Sequence, residues 1–175
     1  LGHEVTMVSF AAEGTEIADE VTSEGIHLVR LPRPRIPFLL SRTAKALFES
    51  DALKGDIYHF HSSFIPTHNQ VARLLAKPYV VSPHGAYSPQ SLRRSRLRKQ
   101  VYRAALDRTY LRGAGAIHAI TEAERSQVVA YCGVRNIEVI PNPVESVAIP
   151  TQHERRISRE ALGIHPSDFV VLYIG

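Results

Sequence analysis

Short apolar runs alternate along this chain with longer amphipathic segments. Residues 5–9 (VTMVS), 26–31 (IHLVRL), 56–60 (DIYHF), 79–82 (YVVS), 116–120 (AIHAI) and 137–140 (IEVI) read as strands. Most show little strict polar–apolar alternation, which is the pattern of strands buried on both faces. Segments of helical length lie between many of them, at 41–53, 65–76, 90–112 and 122–131. Repeated strand–helix–strand order implies an α/β protein with a doubly wound parallel sheet. The punctuation agrees. Gly55-Asp56, Lys77-Pro78 and Gly115 precede strands, and Thr121 followed by Glu122 and Glu124 suits a helix start with acids in its first turn.

Gly2, just ahead of the first strand, reads as the end of a preceding helix. The chain is therefore expected to open inside a βα unit whose own strand is absent. At the other end, residues 145–168 are polar, contain Pro150 and Pro166, and carry a short helix candidate at 157–162. They read as a linker into a second sheet, whose first strand is 169–175 (FVVLYIG). The expected organisation is one domain over 1–144, a linker over 145–168 and the opening strand of another domain over 169–175. The segment 32–37 (PRPRIP) reads as an extended surface loop, since proline blocks helix and central strand; a ligand-contacting loop is the functional alternative.

Composition narrows this only slightly. The 175 residues are 44% hydrophobic and 22% charged, ordinary for a globular domain. No apolar run approaches the roughly 20 residues of a membrane span. The single cysteine, Cys132, excludes an internal disulfide framework and reads as an ordinary helix residue. Charge is more informative. The chain is +4 overall, but residues 93–112 hold seven Arg and one Lys against Asp107 alone, a local +7. Leu97, Val101, Ala104, Ala105 and Leu111, with Tyr102, Leu106 and Tyr110 at four-residue spacing, make this an amphipathic helix with a basic face. A solvated face is one reading. Contact with anionic lipid head groups or a phosphate-bearing acceptor is the other. No nucleic-acid recognition motif accompanies the charge, so no nucleic-acid partner is expected.

His84 is the leading candidate for chemistry. It follows an apolar strand directly in Ser-Pro-His-Gly, and ligands of open α/β sheets bind beyond the carboxyl ends of strands. A neutral imidazole there can donate or accept a hydrogen bond to a sugar or phosphate oxygen, and Gly85 leaves backbone room for a ligand. The alternative is a histidine that closes a strand-end loop. His59 and His61 share one face of a strand. Zinc would need a further ligand such as His84, His68 or Asp56, so no metal is expected. His61 is placed at a cleft edge and His59 as a buried, satisfied side chain. Ser62 and Ser63 could meet an acceptor hydroxyl or cap a helix. Glu122 could pass for a base, but acids are favoured in a first helical turn by the helix dipole alone. Asn142, between Pro141 and Pro143, either touches ligand or forms a turn.

Four motifs in order carry a family resemblance. They are Gly2-His3-Glu4-Val5-Thr6; Asp56-Ile57-Tyr58-His59-Phe60-His61; Pro78-Tyr79-Val80-Val81-Ser82-Pro83-His84-Gly85; and Ala116-Ile117-His118-Ala119-Ile120-Thr121-Glu122-Ala123-Glu124, followed by Val139-Ile140-Pro141-Asn142-Pro143-Val144. Together they resemble glycosyltransferase family 4, of GT-B fold, with Pro143 standing where the family commonly has Gly. The resemblance implies two facing Rossmann-like domains, of which this chain supplies the acceptor-side one. It implies sugar transfer with retention of configuration and usually no essential metal or cofactor. The substrates would be a nucleotide sugar, UDP- or GDP-linked, and a glycan or lipid-linked acceptor. His84 and Gly85, with Asn142, would meet the donor, His84 near the reacting centre. His61, Ser62, Arg103 and Arg108 would meet the acceptor. Most donor contacts would lie in the second domain, so the chain by itself is expected to be inactive. A cytoplasmic place follows, with peripheral contact at the inner face of the plasma membrane through 93–112. Two rivals remain, a non-catalytic sugar- or nucleotide-binding module and a GT-B nucleotide-sugar epimerase.

Overall fold

The computed structural model describes residues 2–10, 17–32, 36, 39–75, 77–144 and 148–171. They fall into two compact units, Leu1–Pro141 and Asn142–Gly175.

The first unit is α/β. Strands β4 (Tyr58–His61), β5 (Tyr79–Ser82), β6 (Ala116–Ala119) and β7 (Ile137–Val139) form a wholly parallel sheet in the order β4-β5-β6-β7. Helices α2 (Pro66–Leu75), α3 (Pro89–Arg93), α4 (Arg96–Tyr102), α5 (Arg108–Gly113) and α6 (Glu122–Cys132) make the crossovers. Because the strands are taken in sequence and such crossovers are right-handed, every helix falls on the same face. On that face Phe60, Tyr79, Val81, Ile117, Ala119 and Ile137 are buried with Val71, Leu111 and Val128 from the helices. The other face carries His59, His61, Val80, Ser82, Ala116, His118 and Glu138, and only Ser82 of these is buried. Burial on both faces, expected from the run composition, is therefore not found in this sheet. The unbroken succession of its strands leaves one face without crossover helices, and His59, expected to be buried, is exposed there.

A second sheet has the order β1-β3-β2, from β1 (Thr6–Phe10), β2 (Ala18–Val21) and β3 (His27–Leu31). β1 is parallel to β3, and β2 is antiparallel to it. β2 is not foreshadowed in the sequence, because its residues, Ala-Asp-Glu-Val, carry no apolar run. It is an exposed edge strand, held by the ladder and by a 2.7 Å ion pair between Glu20 and Arg30. Val29 and Leu31 of β3 bury with Ala44 and Leu53, and α1 (Arg42–Glu49) covers them. Leu40 and Phe48 pack against both apolar clusters and join the two cores.

The helix expected over 90–112 is interrupted. Ser95 takes a left-handed φ of 58°, which ends α3 and restarts the chain as α4. Arg103–Asp107 then form one wide π-type turn before α5. That turn brings Asp107 inward, where its Oδ2 accepts the Tyr87 hydroxyl at 2.8 Å.

In the second unit, α7 (Gln152–Ala161) starts earlier than the helix candidate at 157–162. A capping box between Thr151 and Glu154 fixes that start, and its Thr-x-x-Glu spacing is visible in the sequence. Residues 169–171 pair with no described strand. The rest of that expected strand, 172–175, and most of the proline-rich segment 32–37 lie outside the described residues.

Candidate functional site

Four histidines gather on the open face of β4–β6 and in the loop that follows β5. Parallel register sets His61 beside Ser82 and His59 beside Val80. The ring centroids of His59 and His61 are 4.3 Å apart, those of His61 and His84 5.2 Å, and those of His59 and His118 5.9 Å.

Hydrogen bonding orders this cluster. His118 Nε2 lies 2.7 Å from the carbonyl oxygen of Ile140, which can only accept, so that nitrogen carries the proton. In the neutral ring, Nδ1 is then the acceptor, and it takes the Ser82 hydroxyl proton across 2.8 Å. The Ser82 oxygen in turn accepts from His59 Nε2–H at 2.7 Å. The chain of bonds leaves Nδ1 of a neutral His59 as its free end. Partial burial of the ring, with help from His61, His118 and His84, holds the His59 pKa below its ordinary value. Burial and then His84 and His118 do the same for His61. At neutral pH His59 and His61 are therefore uncharged, suited to hydrogen-bonding a hydroxyl rather than neutralising a phosphate.

The two loops beside the cluster are strained. Ser62 (φ 75°), Phe64 (φ 61°) and His84 (φ 51°) all occupy the left-handed region, at about 1–2 kcal/mol each. Two hydrogen bonds offset this. Ser62 N–H donates to the Ser82 carbonyl at 2.7 Å. Gly85 N–H donates to Glu124 Oε1 at 2.6 Å. Glu124 is only 4% exposed, and its second oxygen accepts Ile120 N–H at 2.8 Å. The Thr121-x-x-Glu124 spacing is that of a capping box, yet this carboxylate holds the loop after β5 to the end of β6. Glu122 is exposed and pairs with Arg125 at 3.6 Å.

The structure thus brings His61, Ser62, His84 and Gly85 together at the carboxyl ends of β4 and β5. A Cβ on Gly85 would meet nothing within 4 Å, so its φ of 75°, rather than a need for space, is what favours glycine. Ser63, by contrast, is buried. His68 packs on Phe60 of the helix-covered face, ring centroids 5.2 Å apart, away from the His-x-His pair. Among the described residues no three His, Cys, Asp or Glu side chains are placed to hold a metal ion.

Arg103 and Arg108 lie elsewhere. The Arg103 guanidinium sits 4.8 Å above the Tyr131 ring, and it lines a groove of about 360 Å³ with Arg93, Lys99 and Tyr131. Arg108 lines a neighbouring hollow with Arg103, and neither lining includes His61, Ser62 or His84. Asn142 is exposed and opens the second unit. Ser82 and His118 were missed as site residues, and Glu124 was read only as a helix-start acid. Their roles depend on strand register and on a contact across 39 residues, which no local pattern shows.

The sequence profile of Glycosyltransferase Family 4 matches residues 1–148, and so takes in every strand of both sheets. The chain belongs to glycosyltransferase family 4. No curated protein sequence matches it significantly. Within this glycosyltransferase-family domain, the sheet end that bears His61 and His84 is the end at which α/β sheets bind ligands. Among the described residues no helix is long and apolar enough to cross a membrane.

Proposed function

We propose that this domain is the acceptor side of a retaining glycosyltransferase that moves a sugar from a UDP- or GDP-linked donor to a hydroxyl of a glycan or lipid-linked acceptor. The observation that carries this reading is His84. Its strained backbone, anchored through Gly85 to Glu124, holds an exposed imidazole against His61 at the ligand-binding end of the sheet. An arrangement that spends folding energy on the direction of one side chain suits a group that must orient a substrate.

In this reading His84 is the catalytic residue nearest the donor sugar, and Gly85 is a further donor contact. His61 and Ser62 face the acceptor. His59, held by hydrogen bonds to Ser82 and through it to His118, positions the His61 ring by contact. The His61 and His59 rings, neutral at pH 7, supply hydrogen bonds to hydroxyls, while charge stabilisation of the leaving diphosphate comes from other groups. No metal or cofactor enters the scheme.

The test is a transfer assay on the full-length gene product with UDP- and GDP-sugars and glycan acceptors. His84→Ala is expected to lower kcat by about 100-fold or more, the size of one lost transition-state donor, with an unchanged melting temperature. Near-wild-type turnover would remove His84 from the chemistry.

A further inference from the structure

Two strained loops carry the candidate site, and both rest on one aromatic cluster. Phe64, in the loop after β4, meets the rings of Tyr87, Tyr102 and Tyr131 edge to face, with centroids 5.5, 5.8 and 6.1 Å away. Tyr87 ends the turn that begins at His84, and its ring stacks on Tyr131 of α6 at 4.3 Å. The backbone of this turn is tight. Ala86 N–H donates to the Pro83 carbonyl at 3.3 Å, and Ser88 N–H donates to the Gly85 carbonyl at 3.1 Å. A shift of Tyr87 is therefore passed to Gly85 and His84 on one side, and through Phe64 to Ser62 and His61 on the other.

Ring packing by itself tolerates sliding, because offset arrangements of aromatic pairs differ little in energy. The Tyr87 hydroxyl removes that freedom. It donates to Asp107 Oδ2 at 2.8 Å, and both side chains are fully buried. Among the described residues no cation pairs with Asp107. A carboxyl group in a core is unfavourable unless bonded, and apolar side chains of similar volume would fill the same space at lower cost. The group is presented by the wide turn Arg103–Asp107, whose π-type bonding interrupts the regular helix between α4 and α5. A helical irregularity and a buried carboxyl thus hold one hydroxyl of the His84 turn.

We propose that Tyr87, held by Asp107, is a positioning residue: it locks the loops after β4 and β5 to one another and so sets the contact between His61 and His84. It acts through the two loops and not on a substrate. The locking of the loops is independent of the chemistry. Its effect on turnover rests on the proposed glycosyl transfer, so the two are measured separately.

The test is Tyr87→Phe, which deletes the hydroxyl and keeps the ring. In the full chain, hydrogen exchange at Ser62 N–H and Gly85 N–H should quicken together, by about 10-fold more than at Ile117 N–H of β6. A general loss of stability would quicken all three alike. His84 is one of the causes that hold the His61 pKa down, so loosened loops should let that pKa rise part of the way toward 6.5 in an NMR titration. In the transfer assay on the full-length gene product, Tyr87→Phe should lower kcat about 10-fold and change KM by less than about twofold, the pattern of a misaligned group. Asp107→Asn keeps an acceptor oxygen and should retain more turnover than Asp107→Ala. Tyr87→Phe combined with Asp107→Ala should lose no more than Asp107→Ala alone, since both cut one bond. Equal quickening at the three amides with an unmoved His61 pKa overturns the proposal and leaves Tyr87 an ordinary core residue. Local quickening and a raised pKa with unchanged turnover would uphold the positioning and count instead against the catalytic role of His84.

Discussion

His61 Nδ1 and His84 Nε2 lie 2.9 Å apart, with their rings stacked at 11°. One of these nitrogens must donate and the other accept, so the pair cannot hold two facing protons without separating. Removing His84 takes away one of the causes that lower the His61 pKa, although burial, the larger cause, persists. In the wild type His61 should therefore titrate below 6.5, and in His84→Ala its pKa should rise part of the way back. Imidazole nitrogen shifts in NMR titrations measure both; an unchanged His61 value in the variant would show that the rings are not coupled.

Glu124 joins two strand-end loops with one carboxylate. Glu124→Ala leaves Gly85 N–H and Ile120 N–H without their partner and should destabilise the fold by about 2–3 kcal/mol. Glu124→Gln keeps an acceptor oxygen and should lose less. Urea unfolding gives the stabilities, and faster hydrogen exchange at Gly85 should locate the change in the loop that aims His84.

Gly85 and Gly113 resist substitution for different reasons. At Gly85 an added Cβ meets nothing, so Gly85→Ala should cost about 1 kcal/mol, from the positive φ alone. At Gly113 the Cβ would lie 2.7 Å from the Tyr79 hydroxyl, which donates to the Tyr110 carbonyl at 2.6 Å. Gly113→Ala should therefore cost more than Gly85→Ala in the same unfolding experiment. The reverse order would show that the Tyr79 ring moves aside freely.

Two buried groups give pH dependence of opposite sign. Burial lowers the His68 pKa from 6.5 to about 4. Between these values the unfolded chain binds more protons, so this contribution to stability is full above 6.5 and is lost as pH falls toward 4. Burial raises the Asp107 pKa from 3.8 to about 6. Here the folded chain binds more protons, so stability is full below 3.8 and is lost as pH rises through about 6. The two slopes oppose each other in the wild type. Asp107→Asn should remove the opposing slope, steepening the loss toward acid, and should raise stability at pH 8 by on the order of 1–3 kcal/mol. Matching pH profiles for variant and wild type would contradict this.

Much of the fold was legible because the strands that form its sheets are mostly short apolar runs separated by helical periodicity. The six runs read as strands in the first unit correspond to β1 and β3–β7. β2 was not legible, because an exposed edge strand needs only ladder partners and carries no apolar signature. The helix break at Ser95 was not legible because serine has no local preference for the left-handed conformation it takes there. For the site, His84 and His61 stood out by their positions after strand runs, whereas Ser82 and His118 did not.

Residue order by itself determined the α/β class, the family and the strand ends at which the candidate histidines stand. It also determined the local charge of 93–112, since charge and periodicity are properties of consecutive residues. Only the tertiary structure decided which face of the sheet stays open and which side chains meet there. Strand register is a cooperative outcome of ladder pairing and helix packing, so the bonds from His59 through Ser82 and His118 to Ile140 do not exist in any single segment. The same holds for the basic helix: its apolar positions were visible in the sequence, and packing alone turned Tyr102 and Tyr110 inward and left Leu97 and Val101 outside.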